Sequence, residues 1–211
     1  LDGVGRLRQR RFNGGCPIQI NAMRIDPQNV DDMRQEWLDT LQRIPGDGLK
    51  GRYAPRHVLG MLMHNPDTLG AFLEHWVSSK LDMGFTVREQ ELVILRMALH
   101  YDCNYVWKHH VPVAQEFGVS QSELDAVREI PLGKGFGSRE TALLALTDEM
   151  VLHRNVSDAS WSRYRGELSD SEVIDLISLV SQYVLFSLAN NVLRVDVERN
   201  LDEIEPLREG L

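Results

Sequence analysis

The stretch "TVREQELVILRMALHYDCNYVWKHHVPVAQEFGVSQSEL", residues 86–124, decides how this chain folds. It opens on Thr86 with Glu89 three positions later, the spacing at which a threonine side chain binds the third amide of a helix and a glutamate reaches back to the cap. An apolar pattern at helical period follows, with Leu92, Leu95, Ala98 and Leu99 on one face. A second periodic run starts near Cys103 and ends where Gly118 follows Phe117, a residue suited to stopping a helix. Ser120 and Glu123 then repeat the capping signal. The stretch therefore reads as two helices and the start of a third.

The same punctuation recurs along the chain. Ser169 and Glu172 form another capping pattern, and "DPQNV" and "NPDTL" place a proline at a first helical position, where its missing N–H costs nothing. These signals predict helices near 27–43, 55–64, 66–80, 87–101, 103–117, 121–130, 138–153, 158–168 and 170–194. Alternating strand patterns are absent apart from a short piece in "CPIQINAMRI". The expectation is an all-α domain over 27–211, preceded by an extended arm over 1–26. "PLGKGFGS", residues 131–138, has three glycines but neither the Walker spacing nor a preceding strand, and reads as a flexible connection.

Composition narrows the function classes. The 211 residues, 43% hydrophobic, suffice for a substantial core, and the net charge of −8 argues against an extended nucleic-acid surface. Arg6, Arg8, Arg10 and Arg11 crowd near the N-terminus, but no apolar core follows them, so they read as a solvated arm and not as a secretory signal. The most apolar run, Val173 to Leu193, is interrupted by Asp175, Ser178, Ser181, Gln182, Ser187, Asn190 and Asn191, which fits a core helix better than a membrane span. It also carries more apolar surface than one subunit can bury, so subunit contact is expected there. Only Cys16 and Cys103 are present, too few for a disulfide framework or a Cys-rich zinc site, and a reducing cytoplasm is the expected compartment. The remaining histidines, His57, His64, His75, His100, His109 and His153, show no metal-binding spacing, so no metal or other cofactor is expected.

Reactive groups concentrate in residues 101–118. Steps of three and four put Cys103, Trp107, His110, Ala114 and Phe117 on one stripe, with His109 about 100° away, so the two histidines form no metal clamp. Cys103 and His110 stand about 10 Å apart along the axis, too far for direct proton transfer. Pro112 inside this helix is expected to free a carbonyl or to kink it. Glu91, on the preceding helix, borders the inward face and could orient His110 or share a proton with it. Arg96 and Lys108 are secondary candidates for holding a substrate carboxylate.

Residues 86–124, with weaker likeness over roughly 40–198, resemble the core of the carboxymuconolactone decarboxylase family, which includes the AhpD-like alkylhydroperoxidases. The peroxidase branch implies a Cys-x-x-Cys, a histidine four residues on and a glutamate twelve residues ahead. Those positions fall on Cys103, Val106, His110 and Glu91, so the second thiol is missing. The resemblance implies an AhpD-like helical bundle, commonly trimeric or hexameric. It also implies a cofactor-independent lyase acting on a small lactone or keto acid, with His110 and Glu91 catalytic, and Tyr105, Val106, Trp107 and Arg96 around the substrate. The alternatives are a thiol peroxidase using Cys103 with an external reductant, or a non-catalytic oligomeric relative.

Overall fold

The computed structural model describes residues 22–43, 51 and 53–208, and the following account concerns those residues. The arm with its four arginines, Cys16 and most of the possible strand lie outside them. Among the described residues there are nine α-helices and no strand: α1 Gln35–Gln42, α2 Arg56–Leu62, α3 Pro66–Leu81, α4 Val87–His100, α5 Asn104–Glu116, α6 Gln121–Arg128, α7 Ser138–His153, α8 Asp158–Tyr164 and α9 Asp170–Leu193. The all-α expectation holds.

Helix α4 is the axis of the bundle. Every residue from Glu89 to Leu99 is buried, because α5, α6, α7 and α9 all pack against it. A helix covered on all sides needs apolar residues on all sides, and Leu92, Val93, Ile94, Leu95, Met97 and Ala98 supply them. Full burial of each large one contributes about 1.5–3 kcal/mol.

The capping signals do more than start helices. Thr86, Ser120 and Ser169 each accept a hydrogen bond from the amide three residues on. Glu89, Glu123 and Glu172 each bind back to their caps, as Glu140 does to Gly137 N–H at the start of α7. These four glutamates then pair with only two arginines. Arg88 binds Glu123 and Glu140, and Arg139 binds Glu89 and Glu172. The starts of α4, α6, α7 and α9 are thereby tied together, and four positive helix ends gain four carboxylates.

Two boundaries differ from the sequence reading. The helix expected over 27–43 is a 3-10 turn at Val30–Asp32 and a separate α1, with Met33 and Arg34 extended between them. Asn29 caps the short turn by accepting from Asp31 N–H, and Gln28 N–H donates to Gly60 O at 3.0 Å, which draws residue 28 onto α2 instead of into a helix. Gly60 permits this approach, since a Cβ there would lie 2.4 Å from Gln28 O. The helix expected over 158–168 ends at Tyr164 and tightens into a 3-10 turn over Arg165–Glu167. Gly118, at φ +86°, ends the α5 segment as expected, and residues 131–137 form the link between α6 and α7.

Candidate active site

Helices α4 and α5 form an antiparallel hairpin. Its turn places Asp102 in the left-handed region, φ 47°, and lets Cys103 N–H donate to Ala98 O at 2.9 Å. This turn brings His110 back alongside Glu91. His110 Nδ1 lies 2.5 Å from Glu91 Oε2, and the carboxylate is 1% exposed. The sequence reading had placed these two groups on facing helices, and they meet there.

Two further side chains complete the cluster. Lys80, in the last turn of α3, donates from Nζ to Glu91 Oε1 at 3.1 Å. Tyr183, midway along α9, lies with its hydroxyl 3.2 Å from His110 Nε2 and its ring edge-on to the imidazole at 5.3 Å. Four helices thus each contribute one residue: Lys80, Glu91, His110 and Tyr183.

The charges in this cluster follow from its neighbours. Burial alone would push the Glu91 carboxyl up, but His110 and Lys80 outweigh it and hold the group at about 2. Burial pulls the His110 imidazole down, and Lys80 adds to that, against the opposing pull of Glu91. The consistent state is an anionic Glu91 neutralised by Lys80 beside a neutral His110. In that state Nδ1–H donates to Glu91, and Nε2 accepts the Tyr183 hydroxyl proton. Burial and the nearby Glu91 charge drive the Tyr183 hydroxyl well above its ordinary value, so it remains a donor.

Cys103 occupies the cap position of α5 with no solvent exposure. Burial pushes its thiol up to about 11, only partly offset by the amides of Val106 and Tyr105 and the Ser187 hydroxyl. Val106 is fully buried on the same stripe. The other expected substrate contacts face elsewhere. Arg96 is a correction: it does not wait for a substrate carboxylate. Its Nε and Nη2 clamp Asp148 at 2.6 and 2.7 Å, and Nη1 donates to the carbonyls of Val127 and Glu129, so a 1% exposed guanidinium is fully engaged. His100 shares the same Asp148 at 2.6 Å. Trp107 donates to Glu205 O at 3.2 Å beneath the Arg128 guanidinium, and Lys108 reaches the carbonyls of Leu201 and Asp202.

Tyr105 belongs to a second buried cluster that the sequence reading missed. Its hydroxyl donates to Glu198 Oε1 at 2.8 Å, and its ring stacks on His109 at 4.4 Å. His109 Nε2 lies 2.6 Å from Glu198 Oε2, while Nδ1 faces the Tyr53 carbonyl at 3.1 Å. Both ring nitrogens therefore face acceptors. The residues after α9 form a strap along α5, held by Tyr105, Trp107, Lys108, His109 and Asn104, which accepts from Leu207 N–H at 3.1 Å. The adjacent histidines thus serve two different faces of one helix, about 100° apart. Nothing in local spacing indicates Glu198 as a partner; it arrives from 89 residues away.

A groove of about 820 Å³ lies beside α9, lined among others by Tyr101, Met150, Arg154, Trp161, Ile177 and Ser181. None of the four clustered residues lines it. Among the described residues, no group of three His, Cys, Asp or Glu side chains is placed to hold a metal ion.

A helical hairpin crossing at a buried Glu–His pair, within an all-α bundle, defines the class of this domain. Residues 66–149 match the carboxymuconolactone decarboxylase family model. Solved structures share the fold at low identity. A peroxidase-related protein from Silicibacter sp. TM1040 is 12% identical, with TM-score 0.71, covering 92% of this chain and 100% of its own. The AhpD-core peroxidase-related protein from Ralstonia eutropha JMP134 is 19% identical, with TM-score 0.64, covering 81% and 87%. The debrominase Bmp8 is 15% identical, with TM-score 0.69, covering 85% and 97%. It is also known as a cysteine-to-alanine variant in complex with 2,3,4-tribromopyrrole. No curated protein sequence is significantly similar to this chain.

Proposed function

We propose that this protein is a cofactor-independent acid–base enzyme, a lyase acting on a small lactone or keto acid, with His110 as the proton carrier. The observation that carries the reading is the Lys80–Glu91–His110–Tyr183 cluster. It holds a neutral imidazole in one tautomer, with its second nitrogen pointing at a hydroxyl donor. Loss of carbon dioxide from a β-keto acid or an equivalent lactone leaves its bonding electrons as an enolate, which needs one proton at carbon. His110 takes that proton from solvent at Nε2 and delivers it. Glu91, bound to Nδ1, stabilises the transient imidazolium. Tyr183 donates a hydrogen bond either to the resting ring or to the enolate oxygen. Lys80 keeps Glu91 ionised, so the pair begins each cycle ready to receive charge.

The thiol reading is weaker. A peroxidatic cysteine acts as the thiolate, and Cys103 is sealed from solvent with its thiol pushed up to about 11. The test is carbon dioxide release from a panel of carboxylated lactones and β-keto acids, compared between the wild type and His110→Ala. Turnover by the wild type that disappears in the variant supports the reading. An unchanged rate in the variant, or a wild type inert on the whole panel, overturns it.

A further inference from the structure

We infer that Trp76 sets the specificity of this site, by stacking an aryl ring of the substrate beside His110. The inference rests on the acid–base reading above and narrows its substrate to an aryl-substituted β-keto acid. Six side chains close a circuit of contacts that includes the reacting imidazole. Lys80, Glu91, His110 and Tyr183 form its polar half. Phe186 continues it, with its ring 6.0 Å from that of Tyr183. Trp76 closes it, 6.3 Å from Phe186 and one helical turn before Lys80 on the same face of α3. Phe72 backs the aromatic half, 5.4 Å from Phe186 and 6.1 Å from Trp76. Aromatic residues make up 7% of the chain, yet four of them meet here, against the polar cluster that carries the proposed chemistry.

Exposure shows which side of the circuit is open. Glu91, Tyr183 and Phe186 are sealed, whereas Lys80 and His110 each keep 16% of their side chains exposed and Trp76 is half-buried. A molecule arriving from solvent meets these three together, because Trp76 and Lys80 are neighbours on one helix face and Lys80 and His110 share Glu91. Two donor groups at this edge are unspent. The Lys80 ammonium carries three N–H groups, and Glu91 is its one partner among the described residues. The Trp76 indole N–H has no hydrogen-bond partner among the described residues, although a tryptophan packed into a core usually pairs it.

The chemistry fits an aryl keto acid. With its ring against the indole and its ketone oxygen on a spare Lys80 N–H, the bond between the α-carbon and the carboxylate breaks. Carbon dioxide leaves, and the bonding pair passes into the enolate. Lys80 and Tyr183 hold the enolate oxygen while the His110 Nε2 proton goes to carbon. Conjugation with the aryl ring keeps this enolate flat, so the stack persists as charge develops. An aliphatic keto acid reaches the same polar groups but leaves the indole uncovered. Ring-on-ring contact is worth more than the area it buries, and that surplus is what separates an aryl group from a saturated ring of similar size.

Two unreactive acids test this, because 3-phenylpropionate and 3-cyclohexylpropionate differ only in the unsaturation of the ring. By NMR titration the wild type should bind the phenyl acid about threefold to tenfold more tightly, the effect of one ring stack, with the Trp76 indole and His110 ring signals moving together. Trp76→Leu should bring the two affinities level while leaving the His110 titration midpoint unchanged, and Trp76→Phe should keep most of the preference. The ratio of kcat/KM for benzoylacetate over acetoacetate should fall by the same factor in Trp76→Leu. Equal affinities in the wild type, no binding of either acid, or a preference that survives Trp76→Leu overturns the inference. The two readings fail separately. A protein that keeps the preference and decarboxylates nothing retains the aryl subsite and loses the lyase reading, whereas one that decarboxylates both keto acids with a ratio unmoved by Trp76→Leu retains the lyase reading and loses the subsite.

Discussion

Replacing Lys80 with methionine tests the electrostatics on which the site depends. The ammonium sits 3.1 Å from the Glu91 carboxylate, where two unit charges attract by about 5 kcal/mol at an effective dielectric constant near 20. Lys80 keeps 16% of its side chain exposed, so part of that attraction is offset by lost solvation, and removing one member of a buried pair costs about 3–5 kcal/mol. The lower figure corresponds to a fall in Tm of about 6–12 °C for a chain of this size. The loss should depend on pH in a particular direction. Without Lys80, Glu91 has only His110 to neutralise it, so the imidazole should titrate higher than in the wild type. A variant whose folded-state imidazole titrates higher than the wild type's gains relative stability as pH falls through that range and loses it as pH rises. The Tm deficit of Lys80→Met should therefore be small near pH 5.5 and grow toward pH 9, and the His110 ring should titrate later by NMR. A deficit that stays flat over this range, with an unchanged His110 midpoint, would refute the charge assignment.

Four other outcomes are expected. In the wild type, Glu91 lies below its ordinary value of 4.5 at about 2, and His110 lies below its ordinary 6.5. Stability conferred by both is present above those ordinary values and lost as pH falls, so urea midpoints should decline from pH 6.5 downward and steepen between 4.5 and 2; a midpoint constant from pH 7 to 3 would contradict this. Tyr183→Phe removes one hydrogen bond of about 0.5–1.5 kcal/mol from the neutral ring, raising the His110 titration by up to roughly one unit; an unmoved titration would detach Tyr183 from the pair. Arg96→Met should cost about 3–5 kcal/mol in urea unfolding by leaving two carbonyls without their donor and Asp148 with only His100, with Arg96→Lys intermediate; a near-neutral Met variant would show that the clamp contributes little. Cys103 should resist iodoacetamide and peroxide in the folded protein and react only after unfolding, so fast native-state labelling would restore the thiol reading.

What the sequence shows here tracks how local each cause is. Capping pairs such as Thr86 with Glu89 act within one turn, so the starts of α4, α6 and α9 were legible to the residue. The Glu91–His110 contact was legible because helix periodicity and the family pattern both fix the faces of a hairpin. Lys80 and Tyr183 carried no such signal: Lys80, on the helix just before α4, looks like an ordinary surface lysine, and Tyr183, 73 residues beyond His110, like an ordinary core aromatic. Arg96 misled for the same reason. A buried guanidinium satisfied by Asp148 and two loop carbonyls is indistinguishable, in sequence, from one waiting for a ligand. The break at Met33 likewise arises from the contact of Gln28 with Gly60, which no local pattern records.

The strap across α5 has a consequence for how the chain is made. Tyr105, Trp107, Lys108 and His109 are translated long before Glu198, Leu201 and Glu205, so during synthesis one polar flank of α5 emerges from the ribosome without its eventual cover. The helical hairpin can form early from its own caps and apolar face. Its outer side closes only after residues 198–207 have emerged, which makes this flank the surface that a chaperone would meet on the nascent chain before the strap covers it.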